Sequence, residues 1–331
     1  MLFKEWGEDN LVEYLRKNFP VKGHMMGIGD DCAVIPCDEE KVWLVTTDAL
    51  AEGVHFLKEQ ISARDLGYKT VAVNVSDIAA MGGKPMYAFL SIAIPKMIAS
   101  DWIHDLIEGV KEACQKWGVI LLGGDTIGSK KDLFLNLTVI GTALVDQVKY
   151  RHQAIAGDFV CVNGFLGDSG GGLRALQENK ITTADIGHLL QSHFRPNPNP
   201  LQGSWLASQE GVHAMMDISD GLDCDLRRMI KSSQKGAVIE TTDLPISPAL
   251  SKACLDNRWD VLQLALTGGE DYCLLVTISP TLLETIQLKF QKKFQTPLFP
   301  IGRITDNPNK LEYCRYGETI QINYKNFDHF E

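Results

Sequence analysis

Apolar runs that stop at an acidic residue flanked by Gly, Ser or Thr recur along this chain, and no other feature limits its possible folds as much. The clearest instance is Val42-Trp43-Leu44-Val45, followed by Thr46-Thr47-Asp48 and then by Glu52-Gly53-Val54-His55-Phe56. Bulky and β-branched side chains without polar interruption read as a buried strand. Two hydroxyls and a carboxylate follow at its end, with Glu52 and His55 close behind. These are hard oxygen donors beside an imidazole, and open α/β sheets hold ligands at the carboxyl ends of their strands. Taken alone, the stretch fits a strand ending in an ordinary turn, since Thr and Asp are common turn residues.

Repetition changes that reading. The same grouping returns at Gly29-Asp30-Asp31, Ser76-Asp77, Gly123-Gly124-Asp125-Thr126, Asp217-Ile218-Ser219-Asp220-Gly221 and Gly268-Gly269-Glu270-Asp271. Two ionised carboxylates about 4 Å apart repel by roughly 4 kcal/mol at an effective dielectric of about 20. A cluster of several therefore needs protons, basic partners or metal ions. Lys84, Lys149 and Arg151 are the main basic residues near these stations. Mg²⁺ is the simpler explanation, because it takes oxygen ligands and joins a few carboxylates to substrate phosphates.

A chain of 331 residues with 45% hydrophobic content allows two domains, each with its own core. The pattern restarts near Tyr150-Arg151, so the expected domains are 1–150 and 151–331. A net charge of −10 with scattered Lys and Arg argues against a general binder of nucleic acid or anionic membrane. No apolar run approaches bilayer length, and the first residues lack the apolar core of a signal peptide. The eight cysteines form no CxxC pair or zinc spacing, and most sit in apolar runs as small core residues. Together these features predict a reduced, cytoplasmic protein.

In order, the chain predicts a helix over 8–18 and a glycine-interrupted loop that leads through Asp30 and Asp31 into a strand at 32–35. A helix follows from Ser62, opened by a capping box with Asp65 and ended at Gly82-Gly83-Lys84-Pro85. Asn74 and Asp77 share a face of that helix, where burying them unsatisfied is costly. A strand at 86–94, a helix over 100–117, a strand at 119–122 ending in Gly123-Gly124-Asp125-Thr126, and a strand over 133–145 complete the first half. In the second half a strand at 159–162 precedes the glycines 170–172, which read as an anion site at a helix start or as a hinge. The segment 195–200 reads as an exposed proline-rich loop. A strand at 213–216 leads into Asp217 to Leu222 and a helix, with Ser219 and Asp220 near its start. A further strand is expected to end at Leu266-Thr267; then come a helix over 281–292 and a strand at 298–302. The class is α/β (α+β), with helices alternating with strands in both halves.

Several chemistries are excluded. The chain has no Walker A sequence, no protein-kinase catalytic loop, no GxSxG elbow, and no EF-hand loop at Asp217–Gly221.

The six stations, in this order and at these separations, closely resemble the thiamine-monophosphate kinase family, within the superfamily of aminoimidazole ribonucleotide synthetase and selenophosphate synthetase. Particularly close are Gly29-Asp30-Asp31-Cys32-Ala33-Val34, Asn74-Val75-Ser76-Asp77-Ile78-Ala79-Ala80-Met81-Gly82, and Gly268-Gly269-Glu270-Asp271-Tyr272. The resemblance spans essentially the full length. It implies ATP-dependent phosphorylation of thiamine monophosphate to thiamine diphosphate, an amino-terminal domain that forms a homodimer through its sheet, and a carboxy-terminal domain that closes the active-site cleft. It also implies that Asp30, Thr46, Thr47, Asp48, Asp77, Asp125, Asp217 and Asp220 hold several Mg²⁺ ions. Gly124, Asp125, Arg151 and Ser219 would face ATP, and His55, Glu270 and the tail aromatic Phe327 would contact thiamine monophosphate. Rival readings are another enzyme of the superfamily and a non-catalytic nucleotide- or metal-binding protein. Against selenophosphate synthetase, the amino-terminal loop has no reactive Cys in a glycine-rich setting.

Overall fold

The computed structural model describes residues 6–180 and 183–325, and the chain divides after Val148 into two units. The first opens with helix α1 (Glu8–Asn18) and carries strands β1 (Ala33–Pro36), β2 (Lys41–Ala51), β3 (Lys84–Pro95), β4 (Ile120–Ser129) and β5 (Phe134–Leu144). They form one sheet in the order β1-β2-β5-β3-β4. Only the β3–β4 pairing is parallel. Helices α2 (Ala63–Ala80) and α3 (Ser100–Trp117) belong to the same unit.

The alternation in β5 turns Leu135, Leu137 and Val139 inward, where α2 covers them. The other side of α2 packs on α3, so nearly the whole helix is buried. Ser62 caps it as its sequence predicts: the hydroxyl accepts the Asp65 N–H and donates to the Asp65 carboxylate. The crossing of α2 and α3 depends on two glycines. A methyl on Gly67 would sit 2.0 Å from the Leu106 carbonyl oxygen, and one on Gly109 would sit 1.9 Å from that of Arg64.

The second unit holds β6 (Phe159–Val162), β7 (Val212–Asp217), β8 (Gly236–Glu240), β9 (Leu274–Ile278), β10 (Phe299–Thr305), β11 (Leu311–Arg315) and β12 (Glu318–Ile320). They make a mixed sheet in the order β12-β11-β8-β10-β6-β9-β7. Its helices are α4 (Asp168–Gln177), α5 (Ala184–Phe194), α6 (Pro200–Ala207), α7 (Leu222–Ser233), α8 (Pro248–Asn257), α9 (Val261–Thr267) and α10 (Leu283–Phe294). One core lies between the sheet and α7, lined by Val160, Met216, Leu226, Met229, Ile239 and Leu275. Each unit is thus a mixed sheet with helices, within the expected α/β class.

Four local expectations are corrected. The strands β2 and β4 do not stop at their acidic residues: β2 continues through Thr46-Thr47-Asp48, and β4 through Asp125-Thr126. Pairing with β5 and with β3, respectively, supplies ladder bonds that override the local turn signal. The run before Gly268 is helix α9, not a strand, because Asp260 accepts the Leu262 and Gln263 N–H groups at 3.0 and 3.2 Å and caps it. Gly170, Gly171 and Gly172 lie inside α4 rather than ahead of it. The prolines of 195–200 are buried, not exposed.

Gly109→Ala should lower the stability of the protein by about 2 kcal/mol, the usual cost of forcing a methyl into a packed contact. Urea unfolding checks this, and an unchanged midpoint would show that the helix crossing adjusts freely.

Candidate active site

In the first unit, helix α2 brings two polar side chains against β2. The Thr46 hydroxyl donates to Asp77 Oδ2 in a short contact. Asn74, fully buried, accepts the Asp48 backbone N–H at 3.0 Å and donates to the Thr70 carbonyl at 3.1 Å. The reason lies in the strand pairing: β1 covers only Val42–Val45 of β2, so the backbone beyond needs another partner. Sequence reasoning placed Asn74 on the right face without assigning it this task.

Strand alternation divides the Thr46-Thr47-Asp48 triplet. Thr46 and Asp48 lie on the face toward α2. Thr47 is exposed on the other face, where its hydroxyl oxygen accepts from Asn136 Nδ2 at 3.0 Å and Thr138 Oγ1 at 3.1 Å. Asp125 pairs in register with Ser91, and Ser91 with Asn136, so it belongs to the Thr47 face. Asp125 is exposed, and its carboxylate accepts the Thr126 N–H at 2.9 Å. Gly124, beside it, is fixed by packing: with φ +149°, its missing methyl would lie 1.7 Å from the Leu90 carbonyl oxygen. Asp30 ends the 24–30 loop and accepts the Asp31 N–H at 3.1 Å. His55 Nδ1 accepts the Ala51 N–H at 3.1 Å, which in the neutral ring puts the proton on Nε2. Glu52 accepts the Leu133 N–H at 2.8 Å and so ties this turn to β5.

In the second unit, Asp217 ends β7 and is buried. The loop after it is held from behind by Asp225, which lies wholly inside the protein. One Asp225 oxygen accepts the N–H groups of Ser219 and Asp220, both at 3.0 Å, while the other meets Arg228 Nη1 at 2.9 Å. Arg228 also reaches Asp220 at 2.5 Å, and these two carboxylates hold its guanidinium far above the usual arginine range despite burial. Asp225 and Arg228 were missed in the sequence; the signal available was an acid in the first turn of α7 with Arg three residues on. Arg151 starts a short 3₁₀ turn, and its carbonyl accepts the Ser233 hydroxyl at 2.9 Å.

The Gly268–Tyr272 turn is laced to the same loop. The Glu270 N–H donates to the Ser219 carbonyl at 2.6 Å, and that of Tyr272 to the Ile218 carbonyl at 2.8 Å. Glu270 and Tyr272 both have positive φ, 56° and 49°. Asp271 points inward and accepts the Gly167 N–H at 2.8 Å at the start of α4. Burial pushes its carboxyl up to about 8, with Asp168 and Glu270 adding to the rise, against the backbone donors that pull it down. Phe327 lies outside the described residues.

The hydroxyl of Thr46 against the carboxylate of Asp77, with Asp48 on the same strand face, is an all-oxygen donor set. Its chemistry fits a hard divalent cation.

Comparison with known proteins gives the family. Residues 29–143 match the family AIR synthase related protein, N-terminal domain, and residues 156–313 match AIR synthase related protein, C-terminal domain. The two matches, on a fold of two sheets with helices, define a protein of the AIR synthase related class. The thiamine-monophosphate kinase of Haemophilus influenzae is 34% identical over 98% of both chains. That of Bacillus subtilis is 32% identical over 92% of this chain and 94% of its own. A solved structure of AaThiL complexed with AMPPCP and TMP superposes with a TM-score of 0.86 at 30% identity, covering 99% of each chain. The chain belongs to the thiamine-monophosphate kinase family.

Asp271 generates a pH dependence. An unfolded aspartate titrates near 4, so between there and about 8 the folded protein keeps a proton that the unfolded chain has released. This contribution to stability is fully present below about pH 4 and is lost as pH rises through about 8. Asp271→Asn should flatten the decline between pH 5 and 8 in urea unfolding. Equal declines in the two proteins would remove Asp271 as its source.

Proposed function

We propose that this protein transfers the γ-phosphoryl group of ATP to the phosphate of thiamine monophosphate, giving thiamine diphosphate and ADP by direct in-line displacement. The observation that carries the reading is full-length similarity to thiamine-monophosphate kinases, together with the fold shared with a homologue that holds an ATP analogue and TMP. Asp30, Thr46, Thr47, Asp48, Asp77 and Asp125 of the first unit and Asp217 and Asp220 of the second would hold Mg²⁺. When bound, Mg²⁺ supplies neutralisation of the phosphate charge.

The chain's own residues bind and align. Asn74 fixes the backbone at Asp48, and the Thr46 hydroxyl fixes one oxygen of Asp77, so these donors do not have to be ordered when substrate arrives. Gly124, Asp125, Arg151 and Ser219 face ATP. Asp225 and Arg228 keep the Ser219 loop rigid. His55, Glu270 and Phe327 contact thiamine monophosphate. Because His55 Nδ1 accepts a backbone N–H, its Nε2–H is a donor suited to orienting a phosphate oxygen. The attacking oxygen is already anionic, so no side chain has to remove a proton from it.

The protein acts as a homodimer formed through the first unit's sheet, in the cytoplasm. Supporting this, β4 is a sheet edge exposed along almost its whole length, with Ile120, Leu122 and Ile127 each more than half exposed. Long apolar edges of this kind are otherwise an aggregation hazard.

Purified protein should release ADP with thiamine monophosphate and Mg²⁺, but not with the purine precursor from which aminoimidazole ribonucleotide is made, or without the metal. Asp77→Asn should abolish turnover while circular dichroism shows an intact fold. Near-wild-type activity in that variant would end the metal assignment. Light scattering should give twice the chain mass, falling to one chain mass for Ile127→Glu, and a monomeric wild type would overturn the dimer.

A further inference from the structure

We infer that His193 is a positioning residue that holds the Glu270 carboxylate ready for substrate, at a distance set by the glycines of α4. The inference rests on the reading of Glu270 as a contact for thiamine monophosphate.

His193 lies near the end of α5 and is almost wholly buried. Its Nδ1 is 3.1 Å from Glu270 Oε2 and 3.0 Å from the Ser169 hydroxyl. An ionised carboxylate can only accept, so this contact calls for a proton on Nδ1 aimed at Glu270 Oε2, with the Ser169 oxygen beside it. The side chain of Glu270 remains about a quarter exposed, so one end is anchored while it stays open to a ligand.

The backbone at Glu270 is fixed separately. Gly269 and Glu270 have φ of 66° and 56°, and the Glu270 N–H is bonded to Ser219. A non-glycine residue in the left-handed region is costly, and such conformations concentrate at functional sites. Backbone restraint alone leaves three side-chain torsions free. Contact with His193 removes that freedom before substrate arrives, so binding loses less conformational entropy.

Glycines 170–172 explain why these groups meet. A methyl on Gly170 would lie 2.6 Å from Gly268 Cα, and one on Gly172 would lie 2.3 Å from the Leu189 carbonyl oxygen and 2.9 Å from His193 Cβ. Helix α4 therefore approaches both the turn that carries Glu270 and the helix that carries His193. The triplet sets a distance.

Steady-state kinetics of the full-length protein test the inference. His193→Phe, which keeps a ring but removes the donor, should raise KM for thiamine monophosphate about tenfold, the scale of a lost hydrogen bond to a charged group. KM for ATP should not change. His193→Asn, whose amide nitrogen can replace Nδ1–H, should restore KM close to wild type. In a Glu270→Gln background, His193→Phe should add nothing. If His193→Phe does not fold, His193→Met carries the same comparison. A rise in KM with Glu270→Gln but none with His193→Phe, or effects that multiply in the double variant, overturns the positioning role alone. An unchanged KM in Glu270→Gln removes the substrate reading, and the inference with it.

Discussion

Enclosure of helix α2 is the constraint on which the first unit depends. A helix covered by a sheet on one side and another helix on the other shuts water away from Asn74, and an unsatisfied buried amide costs on the order of 1–3 kcal/mol. Asn74 therefore had to find a partner on β2, and it found the Asp48 backbone; Asp77, only half-buried, meets the Thr46 hydroxyl on the same strand. The same bonds that satisfy the core fix the orientation of the acidic strand. Gly67 and Gly109 make the enclosure possible by letting two helix backbones touch.

The second unit solves a related problem with loops. The Asp217–Leu222 and Gly268–Tyr272 segments are irregular, yet their backbone groups bond to each other and to Asp225. A buried carboxylate that accepts two N–H groups and an arginine acts as an internal strut. Charge repulsion among the surrounding acids is offset by Arg228 on one side and absorbed on the other by Asp271, which burial keeps protonated toward neutral pH. Loops braced in this way would lose little entropy on binding a ligand.

Membership of the thiamine-monophosphate kinase family joins these two observations. Neither unit presents a nucleophile or a strong base in its acidic stations; both present oxygens and backbone groups held in place. For phosphoryl transfer to an oxygen that is already anionic, held oxygens and fixed amides are the relevant equipment.

The sequence by itself determined the class of the fold, the capped helix from Ser62, and the order of the acidic stations. Those are local matters: apolar periodicity, a capping hydroxyl, and residue types at fixed spacing. It misjudged where β2 and β4 end, because a Thr-Thr-Asp or Gly-Gly-Asp run looks like a turn until a neighbouring strand supplies its ladder bonds. It read the run ending at Leu266-Thr267 as a strand, because a short apolar run has no decisive period and the cap at Asp260 was overlooked. Only the tertiary structure decided that Thr46 and Thr47 face opposite ways, that Asp225 braces the Ser219 loop, and that three glycines bring His193 to Glu270. The His193–Glu270 contact joins residues dozens of positions apart, which carry no local mark of their proximity; the other two are local in sequence, but which way a side chain turns and which N–H groups a carboxylate takes follow from the path of the backbone around them.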